Sequence, residues 1–202
     1  MRVTTIRHVT SSDVEAIVDR LVFDPVADIE TVALVGDGAR VRRYIRARLF
    51  AKHAPFHEWD CVIAEADQEV VGLLDYSRSG SHRSERLKLL AQTVGPVQFL
   101  RALPLLYGRL RVDMHVPDDV FPINDIRVDP PRRNQGVGTA LLEWAEGEAR
   151  GRGYQRMMLQ ALSTNPAIGL YERYGFRTVR SREHWLYTRA VGANRCLMEK
   201  VL

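Results

Sequence analysis

Val128-Asp129-Pro130-Pro131-Arg132-Arg133-Asn134-Gln135-Gly136-Val137-Gly138 is the stretch from which the rest of this 202-residue chain can be read. An apolar-alternating run, residues 121–128, leads into it, and a long amphipathic segment, residues 139–150, leads out. The pattern predicts a strand, a turn and the start of a helix. Gly136 and Gly138 fall in the first turn of that helix, where each costs up to about 1 kcal/mol relative to alanine. No Ser, Thr or Asp stands immediately before them to cap the free amides. An anion resolves the conflict. The first amides of a helix point outward unpaired, the macrodipole adds roughly half a positive charge, and glycine lets phosphate oxygens reach the backbone. Arg132 and Arg133 add charge beside it. On the glycines alone, a softened helix start with two solvated arginines is an equal reading. Neither common nucleotide loop fits: no Lys followed by Ser or Thr comes after the second glycine, and no third glycine stands at dinucleotide-fold spacing.

Downstream, Val137, Ala140, Leu141, Trp144, Ala145 and Glu148 make the helix apolar on about half its surface, as one packed on a sheet requires. Gly151-Arg152-Gly153 stops it. Residues 156–162 read as a nearly continuous buried strand. Asn165 is a good N-cap, Pro166 fits the first helical position and Gly175 is a C-terminal stop, which predicts a two-turn helix over 167–174. Residues 176–185 and 195–202 supply two last strands, joined by a turn near 192–194.

Upstream, residues 3–9 read as a strand. Ser12 and Glu15 form a capping-box pattern before Val14, Ile17, Val18 and Leu21, which share one helical face, and Asp24-Pro25 ends that helix. A weakly patterned link leads to a second helix, 38–52, with Val41, Ile45 and Leu49 spaced by four. Its other face carries Arg40, Arg42, Arg43, Arg46 and Arg48. Lacking an aromatic stacking series, that face reads as solvated basic surface rather than a nucleic-acid site. Residues 60–66 and 69–76 flank Asp67-Gln68 as a hairpin. Residues 77–116 then interrupt the pattern with an apolar, proline-broken helical stretch: a wall over an acceptor pocket, or extra core or a subunit interface, the second reading being favoured.

The length suits one domain, residues 1–202, with an insertion at about 77–118. The net charge of +4 comes from arginine, since Lys52, Lys88 and Lys200 are the only lysines. That surface favours an anionic ligand and is too diffuse for nucleic acid. Cys61 and Cys196 lack metal-ligand spacing and fall in predicted strands, so they read as buried thiols of a reducing compartment, and no metal is expected. The opening residues lack an apolar core of signal-peptide length, which points to the cytoplasm. Residues 89–108 approach membrane length but contain Arg101, Gln92, Gln98, Pro96 and Pro104, so a spanning helix is not expected.

Arg133-Asn134-Gln135-Gly136-Val137-Gly138, after Val128-Asp129-Pro130 at a strand end, resembles the acetyl-CoA loop of the GNAT N-acetyltransferase superfamily, which runs Arg or Gln, two residues, Gly, one residue, Gly or Ala. A second match follows in order: Asn165-Pro166-Ala167-Ile168-Gly169-Leu170-Tyr171-Glu172-Arg173-Tyr174-Gly175-Phe176. The pair covers the C-terminal half, and the N-terminal half agrees only in its order of elements. The resemblance implies an α/β (α+β) fold: a mixed, mainly antiparallel β-sheet flanked by helices, here with a helical insertion before the central strand. It implies acetyl-CoA as cofactor, with backbone amides of Arg133, Asn134, Gln135, Gly136, Val137, Gly138 and Thr139 on the pyrophosphate. It also implies pantetheine at Val128 and a cofactor contact from Asn165. It places Tyr171 at the general-acid position.

Acetyl transfer to an amine needs a bound thioester, a neutral amine and a donor for the leaving thiolate. An alkyl ammonium of pKa near 10.4 is neutral only about once in a few thousand at pH 7, so a base or a dry pocket must help. Asp125, three residues before Val128, is the best-placed carboxylate; Glu58, His57 and His115 are weaker candidates. The thiol's pKa near 8.5 lets a phenol near 10 donate as charge develops, the role Tyr171 fits. The reading is direct acetyl transfer to a primary amine of a small molecule or protein. The alternative is a silent acyl-CoA-binding regulatory or interaction module. Neither nucleic acid nor membrane is an expected partner; a homodimer is a possible one.

Overall fold

The computed structural model describes residues 5–21, 29–36, 38–50, 60–76 and 83–202. In chain order they form β1 (Thr5–His8), α1 (Val14–Leu21), α2 (Ile29–Val35), α3 (Gly38–Phe50), β2 (Cys61–Ala66), β3 (Glu69–Asp75), α4 (Arg83–Val94) and α5 (Pro96–Val112). Then come β4 (Phe121–Ile123), β5 (Asp125–Val128), α6 (Val137–Gly151), β6 (Arg156–Leu162), α7 (Ile168–Arg173), β7 (Arg177–Arg182), α8 (Trp185–Val191) and β8 (Arg195–Val201). The architecture is the expected mixed, mainly antiparallel sheet flanked by helices, with the helical segment α4–α5 ahead of the central strand.

The central strand differs from the expectation in one respect that creates the site. Residues 121–128 read as one strand, yet they divide at Asn124. β4 pairs in parallel with β6, ending at Ile123 opposite Leu159. β5 instead pairs antiparallel with β3, Asp125 opposite Asp75 and Val128 opposite Gly72. The Asn124 amide donates to the Asp75 carbonyl at 2.7 Å, which hands the chain from one sheet to the other. The strands therefore form two sheets, ordered β1-β2-β3-β5 and β4-β6-β8-β7. Beyond Ile123 and Leu159 they diverge and leave a gap between β5 and β6.

Strand alternation sends neighbouring residues to opposite faces. Cys61, Ile63 and Leu73 join α1, α2, α5 and α8 in one core. Val62, Ala64 and Leu74 join α6, Phe121, Met157, Tyr171 and Phe176 in another. The hairpin forms as read, with Asp67 and Gln68 at φ 54° and 63°, the left-handed pair a two-residue turn of this kind needs. α6 lies tightly on β3: a Cβ at Gly72 would stand 2.8 Å from Val137 Cγ1.

Other expectations are corrected. The capping interaction ahead of α1 belongs to Thr10 and Asp13, not Ser12 and Glu15. The Asp13 carboxylate accepts the Thr10 amide at 2.8 Å and its hydroxyl at 2.7 Å, and the Arg7 guanidinium fixes both its oxygens. α2 lies within the weakly patterned link, and at seven residues it is too short to show a period. Its Glu30 meets Arg109, Arg195 and Tyr187 in a partly buried polar cluster joining α2, α5, α8 and β8. The strand expected over 176–185 ends at Arg182, and Trp185 opens α8. The β-rich composition of Trp-Leu-Tyr-Thr yields to packing: α8 crosses α5 so closely that a Cβ at Gly108 would meet the Tyr187 amide nitrogen at 2.8 Å. The Asp24-Pro25 stop, His57 and Glu58 lie outside the described residues. No helix among the described residues is long and apolar enough to cross a membrane.

Candidate active site

The gap between β5 and β6 opens into a cleft of about 540 Å3. Ile123 and Leu159, the last paired residues of β4 and β6, are among its apolar lining, and β5 supplies Asp125 through Val128. The loop after β5, the first turn of α6, the approach to α7 and the end of α1 complete it.

Of the residues singled out from the sequence, Asp125, Val128, Arg133, Asn134, Gly136, Gly138, Thr139, Asn165 and Tyr171 all line this cleft. Two do not. Gln135 folds back so that its Nε2 donates to the Pro131 carbonyl at 2.9 Å. Val137 is 1% exposed and packs in the core beneath α6. Their backbone remains part of the loop. His115 is exposed and outside the cleft lining.

The loop gains its shape from two left-handed residues, Asn134 at φ 59° and Gly136 at φ 87°. Gly136 is the N-cap and not, as read, a first-turn residue, and no side chain caps α6. A Cβ on Gly136 would meet nothing within 4 Å, so its backbone stands open. Gly138 is a glycine for a second reason the pattern did not show: a Cβ there would lie 2.8 Å from Leu170 Cδ2 of α7. The site thus presents a 15-residue helix whose N-terminus no side chain caps, with Arg132, Arg133 and Arg173 on the same cleft. Those features fit a phosphate-bearing ligand. Glu69 restrains the cationic side: it accepts two hydrogen bonds from Arg20, at 2.7 and 2.8 Å, and lies 3.5 Å from Arg132. These arginines, Arg20 first, hold the Glu69 carboxyl below the usual carboxylate range.

Asn165 acts as a local cap, its Oδ1 accepting the Ala167 amide at 2.8 Å; the regular helix begins at Ile168, one residue later than read. Tyr171 is 5% exposed, with its ring edge-on to Phe176 at 6.2 Å. Burial, and secondarily the charge of Asp125, push its phenol above the ordinary range, so the hydroxyl stays protonated. Tyr174 differs: its hydroxyl donates to Glu146 at 2.9 Å and its ring carries the Lys200 ammonium at 3.9 Å, a packing role.

Asp125 is not a lone carboxylate. Arg127 Nε donates to its Oδ2 at 2.7 Å, and Arg127 Nη1 reaches the Leu21 carbonyl at 3.4 Å. Sequence reasoning missed Arg127, although an Asp-x-Arg run on a strand places both side chains on one face and was there to be used. It also missed Gln160, whose amide clamps the Met114 backbone by two hydrogen bonds, at 2.7 and 3.2 Å. No described residue of α4 or α5 lines the cleft.

The model of the acetyltransferase (GNAT) family matches residues 38–176. Among curated proteins, the chain is 33% identical over 82 residues to the aminoalkylphosphonate N-acetyltransferase of Salmonella typhimurium, covering 41% of this chain and 51% of that protein. It is 37% identical over 71 residues to the ribosomal protein bS18-alanine N-acetyltransferase of Escherichia coli, covering 35% and 48%. The chain spans about half the length of the curated relatives it matches. A solved N-acetyltransferase structure from Staphylococcus aureus Mu50 superposes with a TM-score of 0.65 at 18% identity, over 97% of this chain and 100% of that one.

Proposed function

Because the chain belongs to the acetyltransferase (GNAT) family, we propose that it moves an acetyl group from acetyl-CoA directly to a primary amine of a small molecule or protein. One observation carries this reading: the uncapped N-terminus of α6 and the buried hydroxyl-bearing Tyr171 share a single cleft. Acetyl-CoA, when bound, supplies the acetyl group already activated as a thioester. In this reading the backbone amides from Arg133 to Thr139 hold its diphosphate, Gln135 and Val137 contributing through their amides alone. β5 offers its unpaired edge up to Val128 to the pantetheine arm, and Asn165 keeps the approach to α7 in place. Tyr171 holds a proton for the leaving thiolate. Asp125 takes the proton from the incoming ammonium, with Arg127 Nε–H holding its carboxylate in place. Cys61 and Cys196 are buried thiols outside the cleft lining, which supports transfer without an acyl-enzyme and a cytoplasmic, reducing setting. Both curated relatives are named for amine acceptors.

The reading takes residues 1–202 as one domain with an insertion at about 77–118, and extends to a homodimer. Val97, Leu100, Leu103, Tyr107 and Leu110, between 43% and 63% exposed, lie along one face of α5, an apolar surface of the kind that marks interaction sites. Sedimentation of the wild type as a monomer at micromolar concentration removes the dimer. The test of the activity is thiol release from acetyl-CoA across an amine panel, with calorimetry of CoA binding. CoA binding without turnover of any amine favours the silent acyl-CoA-binding module instead.

A further inference from the structure

The gap between β5 and β6 has two faces. Leu159 and Ala161 pack with α6 and Tyr171, so Gln160 between them projects the other way, as does Leu162, which meets the core of α1, α2, α5 and α8. On the opposite bank Ile126 and Val128 pack with α6, and Asp125, opposite Asp75, projects to the α1 side. Asp125 and Gln160 therefore flank the gap on one face, and both line the cleft. Tyr171 lines it from the other face. Both flanking groups are held. Arg127 Nε donates to Asp125 Oδ2 at 2.7 Å. Gln160 Nε2 donates to the Met114 carbonyl at 2.7 Å, and its Oε1 accepts the Met114 amide at 3.2 Å. A flipped amide would set donor against donor and acceptor against acceptor, so this grip fixes which end is oxygen. Met114 is itself fixed, 4% exposed in a small core with Val120, Met158 and Leu197.

Resting on the N-acetyltransferase reading, we propose that Gln160 is a specificity-determining residue whose Oε1 accepts an N–H of the acceptor and thereby selects primary over secondary amines. A carbonyl oxygen has two lone pairs and the Met114 amide fills one; among the described residues Met114 is the only partner of this side chain. Attack on a thioester carbon needs the nitrogen lone pair aimed at it and the N–H bonds turned away. Asp125 and Gln160 put two acceptor oxygens on the face opposite Tyr171. A primary ammonium sets one N–H on Asp125, one on Gln160 and the third toward the thioester. Once Asp125 has taken its proton, a turn about the C–N bond brings the lone pair to the third position, with N–H bonds again on both oxygens. Gln160 moves no proton. Tyr171 gives one to the sulfur as the C–N bond forms and the C–S bond breaks, and regains one from the acetylated nitrogen. A secondary amine, once neutral, has a single N–H, so it satisfies Asp125 or Gln160 and not both.

The experiment compares glycinamide, phenethylamine, putrescine and each amine active in the panel above with its N-methyl counterpart, measuring kcat and KM at saturating acetyl-CoA. Calorimetry adds the affinity of each amine for the protein–CoA complex. Wild type should favour the primary member. Gln160→Met has the same length and no amide, and should lower the kcat preference about 3- to 10-fold, the worth of one hydrogen bond. It should weaken binding of the two members about equally, since both ammonium forms carry enough N–H bonds to reach Gln160. Gln160→Glu keeps an oxygen on the Met114 amide and should retain more of the preference, while calorimetry with CoA and thermal unfolding report that each variant is intact. A preference unchanged in Gln160→Met, an equal loss in both variants, or a wild type that favours N-methyl amines overturns the assignment and leaves the N-acetyltransferase reading standing. Absence of turnover with every amine overturns both.

Discussion

In Tyr171, packing sets the protonation of a side chain for which a general-acid role is proposed. Burial raises its phenol above the ordinary value of 10, and the nearby charge of Asp125 acts in the same direction. A raised acid pKa means that the donor form persists as pH rises, over the whole range in which an amine acceptor gains its neutral form. Tyr171→Phe should therefore lower kcat about 100- to 1000-fold, a normal loss for a general acid. The CoA dissociation constant should stay within about threefold, as single-turnover kinetics and calorimetry would report. The wild-type kcat profile should show no Tyr171-dependent fall below about pH 10. Equal turnover by the variant removes the acid role. At this scale the motif located Tyr171 and the loop, but it could not say which side chains of the loop face the cleft. Val137 was already marked as apolar at helical spacing, and its burial follows from that periodicity. Gln135 carried no such mark, because its hydrogen bond to Pro131 depends on how the turn closes.

The elements explain why two glycines of one motif are not equivalent. Gly136 is open to solvent and required by its φ of 87°, whereas Gly138 is required because Leu170 of α7 fills the space where its side chain would stand. Gly136→Ala should cost about 1–2 kcal/mol, the price of a left-handed non-glycine residue. Gly138→Ala should cost about 1–3 kcal/mol by overpacking. It should also lower kcat, since Leu170 precedes Tyr171 on the same helix. Adding Leu170→Ala to Gly138→Ala should restore part of the stability, a coupling that thermal unfolding of the double-mutant cycle measures directly. Additive losses would show that the two residues do not compete for space. α6, β6 and the hairpin were legible because each is a patterned run bounded by glycine or, for the hairpin, by the polar pair Asp67-Gln68. α2 and α8 were not: each has seven residues, and α8 consists of residue types that favour strands until α5 supplies a surface.

At the scale of the molecule, a mixed, mainly antiparallel sheet flanked by helices was legible from the order of elements and the family resemblance, but its division into two sheets was not. A strand that changes partners at Asn124 is decided by β3 and β6, neither of which is local to it. Charge adds to the apolar core in holding the second sheet to its helix. Glu146 of α6 receives Lys200 of β8 at 2.5 Å, Arg150 at 2.8 Å and the Tyr174 hydroxyl at 2.9 Å. These partners, Lys200 foremost, lower its carboxyl from about 4.5 to about 2. Asp13, bound by Arg7 at the start of α1, is likewise lowered from 3.8 to about 2. Both are depressed carboxylates, so their stabilisation is complete above the unfolded values and is lost as pH falls through the folded ones. The protein should lose stability between about pH 4.5 and pH 2, taking up protons as it unfolds. Glu146→Gln should remove about 1–2 kcal/mol at pH 7, a figure discounted for the partial exposure of the cluster. It should also flatten the pH dependence in that window by as much as one proton, about 1.4 kcal/mol per pH unit. Denaturant titrations from pH 7 to pH 2 separate the outcomes. If wild type and Glu146→Gln trace parallel curves, the carboxylate is not held by Lys200 in solution, and the clasp between α6 and β8 rests on apolar packing alone.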